Sequence, residues 1–582
     1  MNLCEPSRTF VLPRPVLNPQ NLQKVADADL KDGGTSTKTA GLARIGTHGT
    51  NPKNSARDFD RKCRFEGYYS EIEPYEVCCL QKKSSGEVCE KWLPIILPHE
   101  ICHRIHALDK MEFLTGDPGD QETYWSKVQN QTWFQEHPFR DGALASPAHA
   151  IPFRVWGDDA VNTKKKSLYV LSIASAVCLR YASLLTRFLS VAVALGEIVC
   201  LDPLLEAFSW SMGILGIGTL PWRRHDSGEF DIKSWRYKHR GERVMGFFIG
   251  LVTSLAGDLK FLVESLRFSH NYNTEECCFK CRATKRVSGV SAYEFLRHAA
   301  WLLAQRLHIH YMESDGSSSA LAQVPGFHLD MVALDLMHTL HLGVLSIAIG
   351  SGFFELLELN YFGGPSSGPW AARFSAQLAK AWDMFQSFLK RNKLRTSQPA
   401  FSVARMTLSA KSDPPVWKGK ASDNALVCRF LLEQWLIVAR RTGDAHHQTI
   451  ATTLWGYIRI IDIAKEPEMF LSDTRAADLE EARCAALTAH AILAHGAVAT
   501  GSQLWRTLPK HHYLDHICRP DWPDHTGCKM NPGHGWCFSD EDFIGRLTRI
   551  SGGRMRIDSL INKYLLRLHL LLYRGSFSAP PL

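Results

Sequence analysis

Two thiols, a group of histidines and several isolated carboxylates sit in this sequence at spacings that could do chemistry. The stretch "GDLKFLVESLRFSHNYNTEECCFKC" carries Asp258 where an apolar run ends, with Cys278 and Cys281 about twenty positions on. A Cys-x-x-Cys loop turns both thiolates toward one Zn2+ and supplies half of a tetrahedral site. Cys277 adds a third thiol beside the pair. Asp258 is less telling by itself, because Asp is a favoured helix N-cap and needs no ligand to explain it.

The second half of a zinc site is available in "HHYLDH", which holds His511, His512 and His516. On a helix His512 and His516 share a face, and His511 and His516 are still close enough to converge. Four protein ligands leave no open coordination position, so a zinc held this way is structural. A further group, Cys518, His525, Cys528, His534 and Cys537, has irregular spacing and ranks lower. Glu541 lies between Asp540 and Asp542 just ahead of an apolar helical pattern, where acidic residues also complement a helix dipole.

These side chains need elements to hold them. Residues 150–175 read as strand, tight Gly-Asp turn, strand, which puts Asp158 and Asp159 at the mouth of a hairpin. The run "RVMGFFIGLVTSLAGD" leads to Asp258, and Leu259, Leu262, Val263 and Leu266 then follow helical spacing, so Asp258 belongs at a strand end or first helical turn. Beyond Cys281 helical spacing dominates, over 291–312, 333–359, 369–391, 424–442, 446–466 and 476–499, with a last amphipathic helix near 557–573. No internal repeat is visible.

Composition narrows the class. The 582 residues, 45% of them apolar, allow several folded cores. The net charge of +8 permits a polyanionic partner without demanding one. Sixteen cysteines in so long a chain, and a polar stretch after Met1, point to a reducing compartment with thiols free or metal-bound. The apolar region from Ser167 is broken by Arg180, Arg187 and Glu197 and reads as buried strands and helices, so no membrane partner is expected. Residues 1–60 read as a disordered N-terminal tail, and 61–145, with Cys63, Cys78, Cys79, Cys89 and Cys102, as a small segment of unknown role.

The order Gly-Asp, Asp, CxxC, a long helical stretch, HxxxxH and a final acid resembles the DDE transposases of the CACTA type and the related Transib-like recombinases that include the V(D)J recombinase. The block "HLDMVALDLMHTLHLGV" also resembles the "D..H...LGV" block of such transposases; read from the residues, His338 and His341 pack on a helix. The resemblance implies an α/β fold, an RNase H-like core interrupted by a large all-α insertion, with a zinc site joining the two. Residues 146–281 would be the first part of the core, 282–507 the insertion, and 508–582 the zinc histidines, last acid and closing helix.

By the same resemblance Asp158, Asp258 and Glu541 are the catalytic acids, holding Mg2+ or Mn2+, and Cys278, Cys281, His511 and His516 are the Zn2+ ligands. The implied function is DNA strand cleavage and transfer by two-metal-ion catalysis. The implied partners are double-stranded DNA and transposon ends, with a homo-oligomer when active, in the nucleus. The alternative is a catalytically inactive, transposon-derived DNA-binding or scaffold protein. Asp258 and Glu541 stand 283 positions apart, too far for a compact core without an insertion.

Overall fold

Apolar runs in this chain are long enough to be buried on both faces, and they build a mixed sheet. The computed structural model describes residues 72–82, 85–163, 166–178, 186–194, 198–286, 289–519 and 529–551, with Leu560, Ile561, Tyr564, Leu565 and Leu568. The strands are β1 (Tyr75–Lys82), β2 (Val88–Ile95), β3 (Ala150–Thr163), β4 (Lys166–Ser175), β5 (Arg187–Ala194), β6 (Ile249–Gly257) and β7 (Val332–Leu334). β1 and β2 pair with each other, and the other five form a sheet of order β5-β4-β3-β6-β7. β3, β4 and β5 are antiparallel neighbours, whereas β6 runs parallel to β3 and β7 parallel to β6.

The expected Gly-Asp turn is not there. β3 runs straight through Gly157 and Asp158, which lie opposite Leu171 and Val170 of β4. Gly157 serves packing: a Cβ on it would lie 2.1 Å from the ring of Phe261, and one on Gly257 would lie 2.4 Å from the same ring. Phe261 is buried in the helix after β6, so its ring occupies the space that two adjacent glycines leave open. Glycine in a strand often marks such a close approach.

Helices cover the sheet and extend from it. Those that bear on the site and its two cores are α1 (Pro98–Ala107), α2 (Asp202–Ile217), α3 (Leu259–Ser265), α4 (Leu345–Glu358), α5 (Trp370–Arg391), α6 (Ala421–Thr442), α7 (Ala445–Ala464), α8 (Asp473–Ala499), α9 (Pro509–Cys518) and α10 (Phe538–Ser551). A wide π-helical stretch, Met337–Val344, runs directly into α4. Met337–Glu358 is apolar and long enough to cross a membrane by composition, but 83% of its most apolar window is buried within the protein. The helices after β7 agree with the periodicity, whereas the segment expected to be helical ahead of β7 does not. Residues 291–312 hold only a short 3-10 helix, Ala300–Leu303, and the start of a one-turn α-helix, His308–Glu313. Backbone bonds from Arg306 N to Lys280 O and Arg282 N to Ala304 O tie this segment to the Cys loop. Long-range pairing there outweighs helical spacing.

Two large cores result. One holds the sheet, α1, α2, α3 and the β1–β2 hairpin, with Tyr75, Val77 and Leu93 among its buried side chains. The hairpin, where no strands were expected, shares that core. The second is built from α4–α8, with Phe353, Phe385, Trp417 and Trp435 fully or nearly fully buried. The tail expected over 1–60, His525 and Cys528 of the irregular Cys/His group, and most of the helix expected at 557–573 lie outside the described residues.

Candidate carboxylate centre and Cys2His2 metal site

Strand register brings the acids together. The β3–β6 ladder ends at Gly157↔Gly257 and the β6–β7 ladder at Gly257↔Leu334, so the next residues, Asp158, Asp258 and Asp335, stand in a row along one edge of the sheet. Asp258 caps α3, its Oδ1 accepting from Phe261 N at 2.6 Å, as the capping preference of Asp anticipates. Its position at the end of β6 agrees with the sequence reading. Asp159 faces the other way, to Lys260 Nζ at 2.6 Å, which separates it from Asp158.

Alternation along β3 sends Arg154, Trp156 and Asp158 to one face, and α10 lies on that face. Asp540 is 1% exposed between two guanidinium groups, with Arg154 Nη2 at 3.2 Å and Arg187 Nε at 2.9 Å. Trp156 Nε1 donates to Cys537 Sγ at 3.1 Å. These bonds fix the start of α10 and carry Glu541, in its first turn, onto Asp158. Burial, then the Asp158 charge and a hydrogen bond with Asp158, push the Glu541 carboxyl up to about 8. Burial, followed by the Asp258 charge, likewise raises Asp158. Crowding thus disfavours the ionisation of Asp158 and Glu541, and a divalent cation relieves such repulsion.

Two neighbours escaped the sequence reading. Asp335 is 2% exposed and accepts from Met337 N at 2.8 Å, His338 N at 2.9 Å and Cys537 N at 3.0 Å. It also bonds His338 Nδ1, leaving Nε2 3.8 Å from Glu541 Oε1. Burial works against both charges, but this bond more than offsets it, holding Asp335 below and His338 above their ordinary values. The "D..H...LGV" spacing was the available signal. His341 does pack, its Nδ1 at 3.0 Å from Ala421 O. Lys510 of α9 donates to His338 O at 2.9 Å, and a Cβ on Gly343 would lie 2.3 Å from its Cδ, so this glycine clears the path of the lysine chain.

Across the sheet core, Cys278, Cys281, His512 and His516 form a buried group whose ligand atoms all lie within 4.8 Å of one another. Cys278 Sγ is 3.4 Å from His516 Nε2, Cys281 Sγ 3.2 Å from His512 Nε2, and the two Nε2 atoms are 3.1 Å apart. The edges of a tetrahedral ZnS2N2 unit are roughly 3.3–3.8 Å, given bond lengths of ~2.3 Å to sulfur and ~2.0 Å to nitrogen. The residues therefore fit zinc. Lys280 N donates to Cys278 Sγ at 3.3 Å, and Arg306 Nε clamps the carbonyls of Cys278 and Cys281 at 3.1 and 3.2 Å. Burial lowers His516 to about 4, against the pull of Cys278, so its imidazole is neutral, as a ligand must be. Cys277 is not a member; burial pushes its thiol up to about 12.

The assignment of His511 is corrected. Its ring packs 4.3 Å from that of His490 on α8, and its Nδ1 accepts from Leu508 N at 3.0 Å. The cause is helical geometry: residues four apart share a face, whereas residues five apart diverge by about 140°.

Elemental analysis of the full chain is expected to find one zinc, lost in Cys278→Ser and in His512→Ala but retained in His511→Ala. Zinc retained without His512 contradicts this ligand set. The Glu541 carboxyl, raised from 4.5 to about 8, binds its proton more tightly folded than unfolded. In metal-free protein it therefore lowers stability progressively as pH rises through that window. Glu541→Gln is expected to gain thermal midpoint relative to wild type as pH increases from 4.5 to about 8. A difference between the two that stays flat with pH contradicts the crowded carboxyl.

Compared with known proteins, the chain matches no protein-family model and none of the curated proteins.

Proposed function

We propose that this chain cleaves and joins DNA strands as a DDE transposase of the CACTA-like kind, with Asp158, Asp258 and Glu541 holding two Mg2+ or Mn2+ ions. The observation that carries the reading is the convergence of these three carboxylates from a strand, a strand end and a helix start widely separated in sequence. The mixed sheet of order β5-β4-β3-β6-β7 supports an RNase H-like core. Helices α4–α8, with a core of their own, support a helical insertion between β7 and α10. The Cys2His2 group, drawn from the loop after α3 and from α9, supports a zinc clamp at its base.

When bound, such ions activate a water or 3'-hydroxyl and stabilise the leaving oxygen in an in-line displacement at phosphorus. The protein's part is placement. The buried Asp540 bridge holds Glu541 against the sheet, and the Phe261 ring braces the strand segments that carry Asp158 and Asp258. Asp335 orients His338 so that Nε2 faces Glu541, where an imidazole could exchange a proton with a bound hydroxyl. Lys510 adds a cation near Asp258 and Asp335. In this reading the partner is duplex DNA at transposon ends, bound by a homo-oligomer in the nucleus, and the chain's net charge of +8 suits phosphate contacts.

With full-length, zinc-loaded protein, supercoiled plasmid is expected to be nicked in Mg2+ or Mn2+ and untouched in chelator. Asp258→Asn and Glu541→Gln are each expected to lower the rate at least a hundredfold while keeping zinc and fold, because each removes an ion's ligand. Equal nicking by wild type and both variants excludes these carboxylates. Folded wild type that binds DNA without nicking it identifies the inactive, DNA-binding alternative.

A further inference from the structure

The end of the sheet away from the carboxylates carries a second surface with chemistry of its own. The residues of β6 rise about 3.3 Å each, so its first, Ile249, lies roughly 30 Å from Asp258. There α2 stops, and the chain folds back on itself before β6 begins: Leu220 N donates to Glu242 O at 2.7 Å, Gly241 N to Leu220 O at 3.0 Å and Val244 N to Gly218 O at 3.0 Å. A Cβ on Gly218 would stand 3.2 Å from Ile249 Cγ2, which sets this fold-back against the start of the strand. It contains "WRRHDSGEFDIKSWRYKHRGER", residues 222–243, where seven Lys and Arg face four acids and are interleaved with four aromatic residues.

Trp222 is 66% exposed, whereas tryptophan is highly buried on average, and yet it is held in place. A Cβ on Gly241, which has φ 82°, would stand 2.9 Å from Trp222 Cζ2, so the indole rests on the backbone of that glycine. The Arg240 guanidinium lies 5.3 Å from the Trp222 ring centre and 3.5 Å from that of Tyr237, a ladder of ring, cation and ring. Arg223, Lys233, Lys238 and Arg243 are exposed and form no ion pair among the described residues, while Arg224 and Arg236 are paired with Asp226 and Glu100. A second exposed ring, Phe247 at 88%, stands at the same end of the sheet, just ahead of β6.

A fixed, exposed indole among unpaired cations matches the two halves of a single-stranded nucleotide, because the ring takes the base by stacking and the cations take the phosphates. Guanidinium planes serve as stacking surfaces in the same way. A duplex brings the phosphates without a free base face, and an acidic peptide brings the charge without the base. We propose that this end of the sheet binds single-stranded nucleic acid, one base stacked on Trp222 and the backbone along Arg223, Lys238 and Arg243. RNA and single-stranded DNA share this chemistry. The surface is separate from the carboxylates, and the inference does not rest on the catalytic reading.

The test is fluorescence anisotropy of full-length, zinc-loaded protein on short labelled oligouridylate, oligothymidylate and an abasic oligomer of equal length and charge. Excess unlabelled duplex is present throughout, and divalent metal is left out, so phosphate binding elsewhere is occupied and no cleavage is read. Wild type is expected to bind the base-bearing strands about tenfold tighter than the abasic one, the usual weight of one stacked base. Trp222→Ala is expected to remove that preference and Trp222→Phe, which keeps a ring, to retain most of it. Lys238→Glu with Arg243→Glu is expected to weaken all three strands by roughly tenfold and to flatten the salt dependence. A difference between oligouridylate and oligothymidylate assigns the surface to RNA or to DNA, and equal binding assigns it to either. Equal affinity of wild type for base-bearing and abasic strands, a preference that survives Trp222→Ala, or displacement of the strands by oligoglutamate of equal charge overturns the proposal.

Discussion

Asp540, shut between the guanidinium groups of Arg154 and Arg187, is the contact on which the geometry of this protein turns. It joins β3, β5 and α10, and Arg154 extends the junction by donating to the carbonyl oxygens of His534 and Trp536. Removing one partner of such a buried ion group strands the others, at about 3–5 kcal/mol. Asp542, two positions on, makes an exposed pair with Arg546 at 2.7 Å, a type worth about 0.3–0.5 kcal/mol. In one acidic triplet, then, Asp540 anchors, Asp542 is solvated, and Glu541 between them is carried to the carboxylates.

The second constraint is α9, in which nearly every side chain ties to a different part of the molecule. His512 and His516 meet the Cys loop, Asp515 is buried against Arg483 of α8 and against Arg519, and Lys510 reaches the π-helical stretch beside the carboxylates. Tyr513 enters the sheet core and Leu514 the helical core. Metal bound at the Cys2His2 group would therefore set where Lys510 lies as well as how the two cores meet, because both follow the orientation of one short helix. A wide-turn helical stretch opposite, Met337–Val344, gives His338 and Gly343 the placement that α9 requires. Such irregular turns occur often at functional sites.

What was legible in the sequence was whatever depends on near neighbours. Asp258 could be set at a strand end because an apolar run stops and helical spacing starts there. The Cys-x-x-Cys loop and the helices after β7 follow from local spacing as well. Gly157 misled because a Gly-Asp pair has the local chemistry of a turn, while its actual partner, the Phe261 ring, arrives from another element. His511 misled because the HxxxxH spacing of the resemblance competed with helical geometry, and the helix decides which imidazoles face the thiols. Residues 291–312 have helical periodicity but spend their backbone bonds on the Cys loop. His338 has the local spacing of helix packing and nothing local singles out Asp335, since only the register of β7 against β6 sets Asp335 in line with Asp158 and Asp258.

The account stands or falls on whether the three carboxylates form a divalent-cation site. The most direct measurement is anomalous diffraction from zinc-loaded crystals soaked in Mn2+, with data collected on either side of the zinc absorption edge to separate the two metals. The account predicts manganese density bounded by Asp158, Asp258 and Glu541, lost in Asp258→Asn, while zinc density persists at Cys278, Cys281, His512 and His516. Zinc in place with no manganese between the carboxylates, at a concentration that saturates other Mn2+ sites, would contradict it.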